Sequence, residues 1–233
     1  MTTAQWLMII VVSVLSGIDR TAMAQTMLSR PLVCASLTGL LLGIFPAAFQ
    51  LGLMLELLWL MRLPVGATIA PDDTQAAIGA VVLVKLFACQ LPEHQLGLIV
   101  FIGVIVVVMA EVGKCWDVWA RHINERLFLN AVRGLDRSCT HSLVVNHYAG
   151  LCVFACAALI SLSFIVGGGS AILWGGMRYM GSMATLFTLN GQWLVCVFVL
   201  VGVAATLKVL QVKHTVPLFV GGYSLTCILL EIL

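Results

Sequence analysis

The sequence predicts an all-α, polytopic membrane protein built from long and broken helices, with a re-entrant loop and an inverted repeat. Three observations carry that prediction. Of 233 residues, 61% are apolar and 9% are charged, against about 25% charged in soluble domains, and the solvent that tolerates such a surface is the bilayer. Pro31 to Leu55, Ser138 to Met177 and Tyr179 to Leu207 contain no Asp, Glu, Lys or Arg, and about 20 apolar helical residues cross a hydrocarbon core. Each half also holds an apolar stretch interrupted by glycine or proline, Gly43-Ile-Phe-Pro46 in the first and Gly167-Gly-Gly-Ser170 in the second. Paired interruptions of this kind mark transporters made of inverted repeats, with the site near the bilayer midplane.

Residues 1–233 read as a single membrane domain. Its first helix is expected from about Gln5 to Ile18. Trp6 to Leu15 followed by Ala22-Met-Ala24 has the outline of a signal peptide, but no Lys or Arg precedes Arg20, so the basic n-region is missing and the segment reads as a membrane helix. A polar stretch from Asp19 to Arg30 follows. The window Pro31 to Met61 is too long for one crossing, and Pro46 removes a backbone donor in its middle, so two pieces joined at membrane depth are expected. Gly39 and Gly43 stand at the spacing that lets a neighbouring helix approach closely.

Val65-Gly-Ala-Thr-Ile-Ala-Pro71-Asp72-Asp73-Thr-Gln75 is half polar and lies between apolar stretches. Such backbone is tolerated at depth only where protein or water satisfies it, so a re-entrant loop is expected there. Leu96 to Ala110 reads as an apolar helix leading into an amphipathic connector helix over 116–139. In that connector Trp116, Ala120, Ile123 and Leu127 share one face, and Asp117, Arg121 and Glu125 follow each other at i, i+4 on the other. Lys114, Arg121, Arg126, Arg133 and Arg137 concentrate five of the twelve basic residues here, which assigns the connection to the cytoplasm. Further apolar segments are expected at Leu143 to Val166, Ile172 to Leu189, Trp193 to Leu210 and Thr215 to Leu230.

The residues exclude several classes. A net charge of +2 with no basic run argues against nucleic acid. No phosphate-binding loop, nucleophile elbow or nucleotide fingerprint is present, so the chain is expected not to be an enzyme and to need no cofactor. The eight cysteines and five histidines show no metal-ligand spacing, and small apolar filling is the expected role of the cysteines.

A few polar residues remain to carry function. Glu56 has apolar neighbours on every side, and a carboxylate at a helix centre costs about 2.5 to 3.5 kcal/mol on an insertion scale, so it is expected to face a cavity or partner. Asp72 and Asp73 are able to accept hydrogen bonds from sugar hydroxyls or to cap the next helix. Gln25, Gln50, Thr68, Gln75, Asn190 and Gln192 are able to bind hydroxyls without a charge-desolvation cost, although each singly is more often a hydrogen bond between helices.

Ser29-Arg-Pro-Leu-Val33, Thr38-Gly-Leu-Leu-Leu-Gly43, Leu55-Glu-Leu-Leu-Trp-Leu60 and Val65-Gly-Ala-Thr-Ile-Ala-Pro-Asp72 occur in an order and spacing that resembles the membrane component IIC of mannose/sorbose-family phosphotransferase permeases. The resemblance implies a multi-pass protein of the bacterial cytoplasmic (inner) membrane. It implies a sugar or amino-sugar substrate, a second membrane component, IID, as partner, and a trimeric assembly of IIC–IID pairs that moves substrate by an elevator-like displacement. Soluble components IIA and IIB would carry the phosphoryl group. Glu56 and Asp72 are the positions it carries over as sugar ligands, with Asp73, Gln25 and Thr68 as further candidates. An ion-coupled transporter using Glu56 and Asp72, or a non-transporting scaffold or sensor with the same fold, is compatible with the same residues.

Overall fold

A computed structural model describes residues 1–60, 69–87, 95–136, 140–177, 200–204, 206–207 and 215–232. The described residues form α1 (Thr3–Thr21), α2 (Pro31–Leu42), α3 (Phe45–Trp59), α4 (Asp73–Phe87), α5 (Gln95–Asp136), α6 (Thr140–Met177) and α7 (Thr215–Ile232), with further helical residues at 200–204 and 206–207. No strand occurs among them. The windows Thr3–Thr21, Gly97–Leu135 and His141–Gly176 are long and apolar enough to cross a membrane.

Helix α1 starts at a capping box in which the Thr2 hydroxyl accepts from the Gln5 amide and the Gln5 side chain accepts from the Thr2 amide, satisfying two otherwise orphaned donors. Its protein-facing side mixes polar residues with the buried Ile9 and Val12. Ser13, Ser16 and Asp19 are buried, whereas Leu7, Met8, Val11 and Leu15 are exposed, which suits a helix with lipid on one side and protein on the other.

The broken helix is a tight antiparallel hairpin. Gly43, at φ 69°, ends α2 with its amide donating to the Gly39 and Leu40 carbonyls, and Pro46 sits in the first turn of α3. Glycine adopts this left-handed conformation without a Cβ penalty, and proline is tolerated in a first turn, where no intrahelical donor is lost. The two arms then touch at small residues. A Cβ on Gly39 would overlap that of Ala48, and one on Gly52 would lie 2.9 Å from the Ala35 Cβ and 3.2 Å from the Leu32 Cα. With 12 and 15 residues, the arms reach about 18 and 22 Å at 1.5 Å per residue, short of the roughly 30 Å hydrocarbon core. The pair is therefore re-entrant. The re-entrant loop expected from Val65 to Gln75 falls partly on residues 61–68, which lie outside the described residues; residues 69–72 are non-helical and lead directly into α4.

Helix α4 is the hub. Every residue from Thr74 to Val84 is buried, as expected for a helix that is apolar all round, and α1, α2, α3, α5 and α6 all pack on it. Its Gly79 admits the Ile165 side chain of α6.

One sequence expectation is corrected here. Gly167-Gly-Gly-Ser170 does not interrupt α6, which is continuous from Thr140 to Met177. The glycines instead create room: a Cβ on Gly168 would lie 2.5 Å from the Met109 Cε, and one on Gly169 would lie 2.6 Å from the Leu83 Cδ1. Hydrogen bonds within the helix and close packing outweigh the loss of roughly 1 kcal/mol per glycine in helix propensity. Residues 116–136, the described part of the expected connector helix, continue α5 without a break. At 42 residues, α5 reaches about 63 Å, well beyond the roughly 40 to 45 Å thickness of a bilayer with its headgroups. The apolar segment expected from Ile172 to Leu189 lies largely outside the described residues, as does most of that from Trp193 to Leu210.

The contrast among glycines is testable by thermal unfolding in detergent. Gly52→Val should destabilise by about 1 to 3 kcal/mol through overpacking. Gly167→Ala, with nothing within 4 Å of the added Cβ, should be neutral or stabilise by up to about 1 kcal/mol.

Candidate functional site

The C-terminal end of α1, the loop at residues 22–30, the open end of the α2–α3 hairpin and the N-terminal end of α4 converge on one group of charged side chains. Arg20 is the centre. Its guanidinium lies 3.0 Å from Asp72 Oδ1 and 3.3 Å from Asp73 Oδ1, and it donates to the backbone carbonyls of Ala70 and Pro71. One cation thus pairs with two carboxylates and fastens the non-helical segment ahead of α4. The fork geometry of arginine makes such multiple engagement possible.

Asp72 has two attachments besides. Its Oδ1 accepts from the Gln75 amide at 3.2 Å, the geometry of an N-cap. Its own amide donates to the Ala110 carbonyl of α5 at 3.1 Å. Gly113 makes room for it, since a Cβ there would stand 3.1 Å from that of Asp72. The capping and ion-pairing roles of Asp72 therefore coexist. Asp73 Oδ1 also accepts from the Thr74 amide at 3.0 Å.

Glu56 belongs to the hairpin. Its Oε1 lies 3.5 Å from Arg30 Nη1, and its Oε2 accepts from the Leu32 amide at 3.3 Å, one of the donors left open at the start of α2. Hydrogen bonds connect this pair to the other. The Thr74 hydroxyl donates to the Ser29 carbonyl at 2.7 Å, and the Ser29 amide donates to Asp19 Oδ2 at 3.2 Å. Cys34, buried on α2, is within electrostatic reach of both Asp73 and Glu56.

The intervening loop is held by Asp19. Ala24, Gln25 and Met27 adopt positive φ (63°, 51° and 66°), a conformation that costs non-glycine residues roughly 1 to 2 kcal/mol each. Asp19 opposes that strain by accepting from the Thr26 amide at 2.7 Å and the Thr26 hydroxyl at 2.8 Å, as well as from Ser29.

Of the residues singled out from the sequence, Asp72 and Asp73 share Arg20, and Glu56 sits on the neighbouring hairpin with Arg30. Gln25 is exposed on the loop, and Thr68 lies outside the described residues, as do Asn190 and Gln192. Gln75 is a link between helices: it accepts from the Ser13 hydroxyl at 2.7 Å and donates to the Ser13 carbonyl at 3.1 Å. Sequence reasoning missed Arg20, Arg30 and Asp19 by reading them as a polar connection. The available signal was Asp19-Arg20 directly abutting a charge-free run, where an unpaired charge is costly. It also placed Asp117 with Arg121 and Glu125 on the polar face of the connector helix, whereas Asp117 lines a cavity of about 30 Å³ together with Arg20, Asp72 and Gln75.

A helical membrane fold with a re-entrant hairpin, closing around ion-paired carboxylates at the end of a membrane helix, defines a transporter-type membrane protein. A family model described as the PTS system sorbose-specific IIC component matches residues 3–232, and the chain belongs to that family. It is 27% identical over 228 residues to the PTS system sorbose-specific EIIC component of Klebsiella pneumoniae, covering 95% of this chain and 79% of that one. It is 23% identical over 234 residues to the fructose permease IIC component of Bacillus subtilis (strain 168), covering 97% and 79%. A solved chain described only as a membrane protein matches with a TM-score of 0.71 at 19% identity, covering 97% of this chain and 87% of that one. A chain of the mannose transporter ManYZ in complex with microcin E492 matches with a TM-score of 0.56 at 19% identity, over the same shares. The chain is thus a multi-pass protein of the cytoplasmic membrane and a IIC-type permease component, a transport subunit.

The role of Asp19 is open to direct test. Asp19→Ala removes three acceptor contacts from a loop in left-handed geometry, so the loop at residues 22–30 should become cleavable in limited proteolysis, with a stability loss of about 1 to 3 kcal/mol. Unchanged protease resistance would contradict the assignment.

Proposed function

We propose that this chain carries a sugar or amino sugar across the membrane, with Glu56, Asp72 and Asp73 accepting hydrogen bonds from its hydroxyls and Arg20 and Arg30 donating to its oxygens. The observation that carries this reading is spare acceptor capacity in carboxylates that are already paired with arginines. A carboxylate offers about four lone-pair sites. Asp72 uses its Oδ1 for Arg20 and the Gln75 amide, and Glu56 uses one oxygen for Arg30 and the other for the Leu32 amide. Roughly half the capacity of each therefore remains for hydroxyl donors. The paired arginines hold the carboxylates in place, with lone pairs left to meet the hydroxyls of a polyhydroxylated ligand.

In this reading residues 1–233 act as one membrane domain, with 116–139 as its cytoplasmic connector, Gln25 contributes from the loop at residues 22–30, and Thr68 is a further ligand. A membrane partner, the component IID, completes the pathway in a trimeric assembly of IIC–IID pairs. Soluble components IIA and IIB carry the phosphoryl group, so the sugar is phosphorylated by partners as it is delivered. Family membership supports this, as do the sorbose, fructose and mannose named for the similar proteins. The exposed apolar residues Val216, Leu218, Val220 and Leu225 of α7 are suited to lipid or to a membrane partner.

Uptake of labelled sorbose, fructose and mannose, in membranes that also contain the partner components, provides the test. Glu56→Gln and Asp72→Asn each preserve shape but lose charge-assisted hydrogen bonds worth about 1.5 to 3 kcal/mol. Uptake at matched protein levels should fall at least about tenfold in each, since 1.4 kcal/mol is a factor of ten. Full uptake in both variants would return these residues to structural roles.

A further inference from the structure

Helix α5 turns one face toward the ion-paired site. Ala110, Gly113 and Asp117 stand at i, i+3 and i+7, a spacing that places them on one side of a helix. The Ala110 carbonyl accepts from the Asp72 amide, Gly113 makes room for the Asp72 side chain, and Asp117, one turn further on, lines the small cavity together with Arg20, Thr21, Asp72 and Gln75. Asp117 makes no direct ion pair with Arg20 among the described residues, yet its charge is within electrostatic reach of the guanidinium. It is committed on one oxygen only: Oδ2 lies 3.1 Å from Arg121 Nε, and Oδ1 takes no part in that bond. Arg121 is 47% exposed, and an exposed pair of this kind is screened by solvent and holds weakly. Asp117 is therefore available to a second cation.

Arg20 thus stands between two sets of carboxylates, Asp72 and Asp73 at the start of α4 and Asp117 on α5. A cation at the end of a membrane helix leaves one counter-ion only where another receives it, because an unpaired charge with little access to water is costly. Asp117 is such a receiver. The space between them is polar. At about 30 Å³ it has room for one or two waters, each needing at least about 10 to 15 Å³. The Thr21 hydroxyl that borders it is buried and has no partner among the described residues, so it is able to accept from the guanidinium or to donate to Asp117 Oδ1. As Arg20 turns toward Asp117, the lone pairs it held on Asp72 and Asp73 open to sugar hydroxyls. The five N–H donors of a guanidinium are enough to serve Asp117 and a sugar oxygen together.

We propose that Asp117 is a positioning residue of the ion-paired site, the alternate partner that draws Arg20 off Asp72 and Asp73 when a sugar takes its place. The inference rests on the sugar-transport reading above and adds a residue on α5 that sets how readily the two carboxylates open. A site whose open state is only partly populated binds with an apparent affinity reduced by that fraction, so weakening Asp117 acts on KM and not on the maximal rate. The test is uptake of labelled sorbose, fructose and mannose over a range of sugar concentrations, in membranes carrying the partner components and matched amounts of each variant, with thermal unfolding in detergent alongside. For the probe that is transported, Asp117→Asn should raise KM at least about tenfold while the maximal rate stays within about twofold and the unfolding temperature does not fall. Asp117→Glu, which keeps the charge, should restore most of the affinity. An unchanged KM in Asp117→Asn, or a KM raised equally in Asp117→Glu, would overturn the proposal and leave the transport reading intact. So would a lower maximal rate accompanied by a lower unfolding temperature, which marks a residue that only holds the fold. Should Asp117→Asn fail to assemble, Arg121→Gln, at an exposed position, carries the test: with Asp117 freed of its other partner KM should fall, and an unchanged or raised KM would overturn the proposal. No uptake of any probe by the unaltered complex would overturn the transport reading and this inference with it.

Discussion

The arrangement depends on Arg20. A guanidinium at the last turn of a membrane helix, facing protein rather than water, is stable only with its charge and donors met, and Asp72, Asp73 and two backbone carbonyls meet them. The dependence is mutual. Without Arg20 the two carboxylates would stand together at the start of α4 with little solvent access, and removing one partner of a buried pair typically costs about 3 to 5 kcal/mol. Because Asp72 also caps α4 and its amide pairs with α5, this interaction fixes the hub helix against both α1 and α5. Asp19, the residue before Arg20, holds the loop that leads to Arg30 and thereby to Glu56. Two neighbouring residues of α1 thus position both ends of the candidate site.

The remaining constraint is close approach. Among apolar helices in lipid, no hydrophobic driving force separates protein contacts from lipid contacts, so packing and hydrogen bonds decide. Gly39, Gly52, Gly79, Gly168 and Gly169 each face a neighbouring helix at a distance that a side chain would prevent. Ser13 and Gln75 supply a buried hydrogen-bond pair between α1 and α4. The contacts at Gly79 and Gly169 and the Ser13–Gln75 pair bring α4 close to α6 and α1.

Much of this was legible in the sequence, for reasons specific to each element. The break at Gly43 and Pro46 follows from local backbone chemistry, which the residues carry themselves. The glycine run at 167–169 misled because glycine has two uses: it releases the backbone or it admits a neighbour, and only the position of Leu83 and Met109 decides between them. Asp72, Asp73 and Glu56 stood out because acidic residues beside apolar runs are costly. Their partners Arg20 and Arg30 did not, since sequence separations of 52 residues for Arg20–Asp72 and 26 for Arg30–Glu56 leave no local signal. For the same reason Asp117, at a regular i, i+4 spacing to Arg121, read as a solvated helix face although it turns toward Arg20.

The central claim, that Arg20 and Asp72 act as one unit, is tested most directly by a double-mutant cycle on unfolding free energy in detergent. The cycle uses Arg20→Met, Asp72→Asn and the double substitution. The account predicts that the double variant loses less stability than the sum of the singles, by at least about 1 kcal/mol, within the range of roughly 0.5 to 3 kcal/mol seen for residues in one ion-pair network. Losses that add to within about 0.3 to 0.5 kcal/mol, as for independent sites, would contradict it.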